Sequence, residues 1–246
     1  MICKLCHQDK KLLKHSHIIP DFAYKGIYDE KHQIYYGNFL NPERGKLISS
    51  APYDKNILCR ECDGDIIGRL ESYASHALYG NNPSYRRIKI SKIKSSVGPD
   101  SLHIENIDYK MFKLFILSIL WRASVSNHPI FKNIDLGEFE GEIGDMILKG
   151  DPKDFSKFKT CLILADRHEN LNTEMVSEPR KISRGSPFYI FFINRLFYLI
   201  NLSDDNNLEL FDSAGLKEDN TINIPILSGD ALLSFYDTVM GLKLRK

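Results

Sequence analysis

Two short stretches, 3-CKLC-6 and 59-CREC-62, decide how this chain is read, and 15-HSHIIP-20 lies between them. A CxxC pair can turn both thiolates toward one point, so a single ion binds them from one tight turn. Two pairs supply Cys3, Cys6, Cys59 and Cys62, the ligand count of a closed structural Zn²⁺ site. A redox CxxC is the competing reading, but four of the five cysteines falling into two such pairs argues for metal. The fifth, Cys161, stands alone in an apolar run and reads as a small core residue. Zinc joining the two pairs would hold residues 14–19 close to the helix expected after Cys62.

The 246 residues are 43% hydrophobic and 26% charged, an ordinary composition for a chain with a sizeable core. The net charge of +1 conceals an asymmetry. Residues 1–95 carry 16 Lys and Arg against 10 Asp and Glu, whereas residues 96–246 carry 17 against 22. Any polyanion is therefore expected to meet the front of the molecule. Cys3 and Cys6 occupy the place of a signal sequence, and the longest apolar run, 114-LFILSILW-121, is too short to cross a bilayer. Metal thiolates suit a reducing compartment, so the expected location is cytoplasmic, with no membrane partner.

Patterning predicts an α+β protein. A zinc-stapled ββα module is expected over residues 1–95, followed by a larger α+β domain over 96–246 built on a central apolar helix and an antiparallel sheet. Strand character appears around 14-KHSHII-19 and 33-QIYYG-37, and Pro20 suits the first position of a helix. Ile66, Ile67, Leu70, Tyr73, Ala74 and Ala77 mark an amphipathic helix over 65–78. Further helices are expected over 108–127, 138–150 and 229–244. Strands are expected at 159–165 and in the pair 188–193 and 196–202, which turns through Asn194 and Arg195. Within 85-YRRIKISKIK-94, Arg86, Arg87, Lys89, Lys92 and Lys94 form a candidate phosphate-backbone contact, with Ile88 and Ile90 facing inward. The plainer reading is an edge strand guarded by lysines.

The stretches 3-CKLC-6, 16-SHIIP-20 and 59-CRECD-63 together resemble the HNH family of nucleases, over about a third of the chain. The resemblance implies a ββα unit braced by zinc, in which His17 ends the first strand and acts as general base. It implies hydrolysis of DNA phosphodiesters, with double-stranded DNA as partner and Mg²⁺ or Mn²⁺ as the catalytic ion. Three positions depart from the family pattern. Ser16 replaces an acidic or histidine ligand, Asp54 stands where the middle asparagine is usual with Asn56 the nearest asparagine, and Asp63 replaces the last histidine. Asp63 remains a hard oxygen ligand suited to Mg²⁺ or Mn²⁺. His15, two residues from His17, would share its strand face and supply the ligand Ser16 lacks. The run 118-SILWRA-123 resembles bacterial HNH-type proteins with a similar extension, a setting that implies defence against phage.

Each assignment has a structural competitor. His17 could be a hydrogen-bonded strand residue, Asp63 or Asp65 a helix cap, and Glu71 a solvated side chain. The chain would then be an inactive treble-clef zinc module, an adaptor for DNA or protein. In either case residues 96–246 could serve a homodimer or a partner protein.

Overall fold

The chain opens as a hairpin interrupted by an insertion. In this computed structural model, which describes residues 1–38, 41–80, 87–169, 171, 173, 175–183, 188–203 and 209–240, β1 (Ser16–His17) runs into a single 3-10 turn, Asp21–Tyr24. Over 35–38, 41–46, 48 and 240 only the backbone is described. The helix expected from Pro20 is therefore one turn long. Lys25 leaves it in an extended conformation, at ψ 123°. β2 (Ile34–Asn38) and β3 (Asn41–Ile48) form their own antiparallel pair, and β4 (Tyr53–Asp54) returns to β1. Ser16 lies opposite Asp54, and His17 opposite Tyr53.

After the second cysteine pair the chain is already helical. Glu61–Ile67 winds as a π-helical turn and continues as α1 (Gly68–Tyr79). Gly80, left-handed at φ 68°, ends α1 by donating its N–H to the His76 carbonyl.

α2 (Tyr109–Val125) begins at Asp108, whose carboxylate accepts the Met111 N–H at 2.9 Å. Phe112 and Leu114 through Ala123 are buried around its whole circumference, because the helix packs on α1 and on α3 (Phe139–Lys149) as well as on a sheet. Lys113 is buried too. Its ammonium donates to the Tyr109 hydroxyl and to the Asp154 and Lys157 carbonyls, and burial pushes it down to about 8 against nearby Asp154, Glu218 and Asp151.

The sheet contains β5 (Lys89–Ile93), β6 (Ser101–Glu105), β7 (Thr160–Ala165), β8 (Arg180–Ile182), β9 (Phe188–Ile193), β10 (Leu196–Ile200) and β11 (Thr221–Leu227). Their spatial order is β5-β6-β11-β7-β10-β9-β8. Neighbours are antiparallel except β11 and β7, which run parallel, so the expected antiparallel sheet is in fact mixed. β9 turns into β10 through Asn194 and Arg195 at φ 43° and 70°, the left-handed pair of a tight hairpin.

One buried cluster runs from Cys3, Ile18 and Leu70 through α2 to Phe191 and Tyr198. The opposite sheet face, with Cys161, Ile163 and Phe197, is covered by α4 (Glu209–Ala214) and α5 (Gly229–Met240). Cys161 is thus a core residue, and burial raises its thiol pKa. Residues 241–244 of the expected last helix lie outside the described residues. Among the described residues, no helix is long and apolar enough to cross a membrane.

Gly144 and Gly141 on α3 separate packing from propensity. A Cβ at Gly144 would meet the Trp121 indole at 3.0 Å, whereas one at Gly141 meets nothing within 4 Å. Gly141→Ala should therefore stabilise the protein by up to about 1 kcal/mol. Gly144→Ala should destabilise it by about 1–3 kcal/mol. Thermal unfolding of the two variants measures both.

Candidate metal centre and histidine face

The N-terminal turn closes at His7, which takes a left-handed φ of 55° and donates its N–H to the Cys3 carbonyl at 2.9 Å. Lys4 bonds to Ile57, and Leu13 to Leu58, so this turn lies against the segment leading into Cys59. The ligand sulfurs of Cys3, Cys6, Cys59 and Cys62 all come within 4.8 Å of one another. Zn–S bonds of about 2.3 Å in a tetrahedron place sulfurs about 3.8 Å apart. Cys6 Sγ and Cys59 Sγ stand at 3.9 Å, too far for a disulfide and right for a shared ion. The four cysteines can therefore hold a metal ion such as zinc.

Burial works against thiolates here, but the N–H groups of Cys6, Cys59 and Leu5 outweigh it at Cys3 and lower its thiol to about 7. Burial and the neighbouring sulfurs push Cys62 the other way, since thiols packed in one small volume resist ionising together. Lys10 lies 3.6 Å from Glu61 and also feels Cys59 and Cys6, placing a positive charge beside the thiolates.

On β1 the side chains alternate. Ser16 is fully buried, while His17 is half-buried and His15 exposed. Both histidine rings meet Tyr53, at centroid distances of 4.4 Å for His15 and 6.4 Å for His17. They share one face, as the two-residue spacing required. Ser16 points away from it, so a metal ligand at that position would face the core rather than His17.

The acidic residues around the hairpin divide by use. Asp54 accepts from the Ser126 hydroxyl at 2.9 Å and from the Asn127 N–H at 2.6 Å, which ties β4 to the end of α2. Asn56 is left-handed at φ 60°, and its N–H bonds the Leu13 carbonyl, so its backbone braces the approach to β1. Glu71 is half-buried rather than free in solvent. It pairs with Arg122 at 2.6 Å, and Arg122 also donates to the His17 carbonyl at 2.7 Å and the Ser118 carbonyl at 3.2 Å. Asp63 is not a helix cap, because Arg60 is already helical and the Asp63 N–H bonds the Cys59 carbonyl. Asp65 lies deeper still. The half-buried Asp63 carboxylate makes no hydrogen bond or ion pair with the described residues.

Arg122 and Tyr53 were not singled out as site residues from sequence. A charge inside the last turn of an apolar helix was the available signal for Arg122; nothing distinguished Tyr53. Beside Tyr53 a cleft of about 590 Å³ opens, lined in part by Gln33, Lys55, Asn127 and His128.

The basic stretch departs from expectation. Arg86 lies outside the described residues. Within β5, strand alternation sets Lys89 on one face and Lys92 on the other, and Lys92 pairs with Asp100 at 3.0 Å. Ile90 is 61% exposed rather than inward-facing, because nothing described packs on either face of this edge strand.

Among the described residues, the cysteines are the one set of three or more His, Cys, Asp or Glu side chains whose ligand atoms converge this closely. Comparisons of the chain with protein families, with curated proteins and with solved structures find no match.

Metal analysis of the purified protein should return one zinc per chain, and Cys59→Ser should lose it and unfold at lower temperature. Glu71→Ala should destabilise by about 3 kcal/mol, since it strands a buried guanidinium. Adding Arg122→Met should recover part of that loss in denaturant unfolding.

Proposed function

We propose that the protein is a metal-dependent endonuclease of the HNH type, cleaving DNA, with His17 as general base and zinc as a structural staple of a treble-clef-like module. The observation that carries this reading is the shared outer face of β1 and β4. It presents His15, His17 and Tyr53 on a two-stranded unit whose following helix starts at the cysteine cluster and carries an uncommitted Asp63.

In this reading a phosphodiester lies across the His17 face, with the flanking strand directed toward the cleft beside Tyr53. His17 accepts the proton of a water whose oxygen bonds to phosphorus. The bond to the 3′ oxygen breaks, and that oxygen takes a proton from solvent. Mg²⁺ or Mn²⁺, held by Asp63 with His15, would supply positive charge against the non-bridging and leaving oxygens. One carboxylate is a sufficient protein anchor, because such ions commonly complete their shell with phosphate oxygens and water. Asn56 holds the chain leading to β1, and Arg122 fixes the His17 carbonyl. Arg87, Lys89 and Lys94 offer phosphate contacts at a distance from the chemistry, and defence against phage is the setting we assign.

A second reading has its own observation. Asp54 and Glu71 are spent on structural bonds, and among the described residues neither Asp63 nor His15 belongs to a converging set of three ligands as the cysteines do. That arrangement favours an inactive zinc module acting as an adaptor for DNA or protein.

Plasmid nicking by zinc-loaded protein with Mg²⁺ or Mn²⁺ separates the two. The endonuclease reading expects nicking that falls at least ~10²-fold in His17→Ala at equal zinc content. Absence of nicking in the unaltered protein with either ion supports the adaptor.

A further inference from the structure

β5 is the outermost strand of a seven-stranded sheet, and no described residue pairs with its outer edge. Such an edge presents a row of backbone N–H and C=O groups to any strand that can align with it. All five residues of β5 are exposed. Ile90 is 61% exposed, Ile93 47%, and Val97 just beyond the strand 97%. Three of the six exposed large hydrophobic residues among those described thus fall within eight positions.

We propose that β5 is a self-pairing edge: two copies of the chain join through antiparallel β5–β5 contact about a two-fold axis at Ser91. The sequence of the strand is complementary to itself in that register. Ser91 meets Ser91 of the second copy, Ile90 meets Lys92, Lys89 meets Ile93, and Ile88 meets Lys94. No lysine opposes a lysine, and each isoleucine lies against the methylene stem of one. The charge of the strand is partly met within each copy. Lys92 pairs with Asp100 at 3.0 Å, and Lys89 lies opposite Glu105 on β6. A two-fold contact of this kind is closed, so it yields dimers rather than fibres. The two sheets become one continuous sheet.

The register makes the test sharper than a measurement of mass alone. The full-length, zinc-loaded chain should sediment as a dimer. Ile90→Lys, which sets lysine against Lys92 of the other copy, should yield monomers that keep the native circular dichroism and zinc content. Ile90→Glu should keep the dimer or tighten it, because the new carboxylate faces the same lysine. Ser91→Cys should form a disulfide-linked dimer on mild oxidation, since directly opposite residues in an antiparallel pair lie within disulfide reach. Lys89→Cys, which faces Ile93, should not. A chain that stays monomeric at the highest concentration reached would overturn the proposal and leave the lysines as guards of a bare edge. So would a dimer indifferent to Ile90→Lys, or one that cross-links as readily through Lys89→Cys.

Discussion

The arrangement around His17 depends on one buried guanidinium. Arg122, at the end of α2, holds the His17 carbonyl and the Glu71 carboxylate together. Those two groups belong to a strand and a helix that meet only through long-range contacts. The Nε and Nη1 of Arg122 are answered by a carboxylate and two carbonyls, while Nη2 is buried without a partner among the described residues; removing the carboxylate leaves a desolvated charge unmet. The price is rigidity, and rigidity is what a site built on a two-residue strand lacks by itself.

The cysteine cluster acts on the same hairpin from the other end. It closes the N-terminal turn onto the first turn of the helix, so the β1–β4 hairpin and that helix are pinned at both ends. One pin is the metal-ligand geometry near residues 3 and 62, and the other is Arg122. Such small units bury too little apolar surface to hold a unique shape without staples. Here the module's apolar side, with Ile18, Ile57 and Leu70, also belongs to the cluster that surrounds α2. The π-helical start of the helix carries Cys62 and Asp63 within consecutive positions, and π-turns of this kind recur at functional sites.

Much of this was legible in the sequence, for reasons that differ by element. The CxxC spacing is a local geometric requirement, so the cysteine cluster could be read directly. α2 announces itself as a long apolar run, α3 by its apolar spacing, and the Asn194–Arg195 turn by its place between two apolar runs. β11 was missed. Its Ile222, Ile224 and Ile226 alternate, but Pro225 among them argues against a strand, and its partners lie more than fifty residues away. In the basic strand the expected inward face is absent, because β5 is an outermost strand and Ile90 is exposed on it. Asp63 was mistaken for a possible cap because the helix starts earlier, at the cysteines themselves. The uses of Glu71, Asp54 and Arg122 were not legible at all, since each is defined by a partner more than fifty residues distant.

The central claim is that a hard divalent ion binds beside His17. Proton NMR of the zinc-loaded protein, titrated with substoichiometric Mn²⁺, tests it without reference to turnover. Paramagnetic broadening should reach the ring signals of His17 and His15 first, and Asp63→Asn should abolish that preference. Broadening spread evenly over His15, His17, His103 and His168, or none at all, would contradict the account and leave a zinc module that binds without cutting.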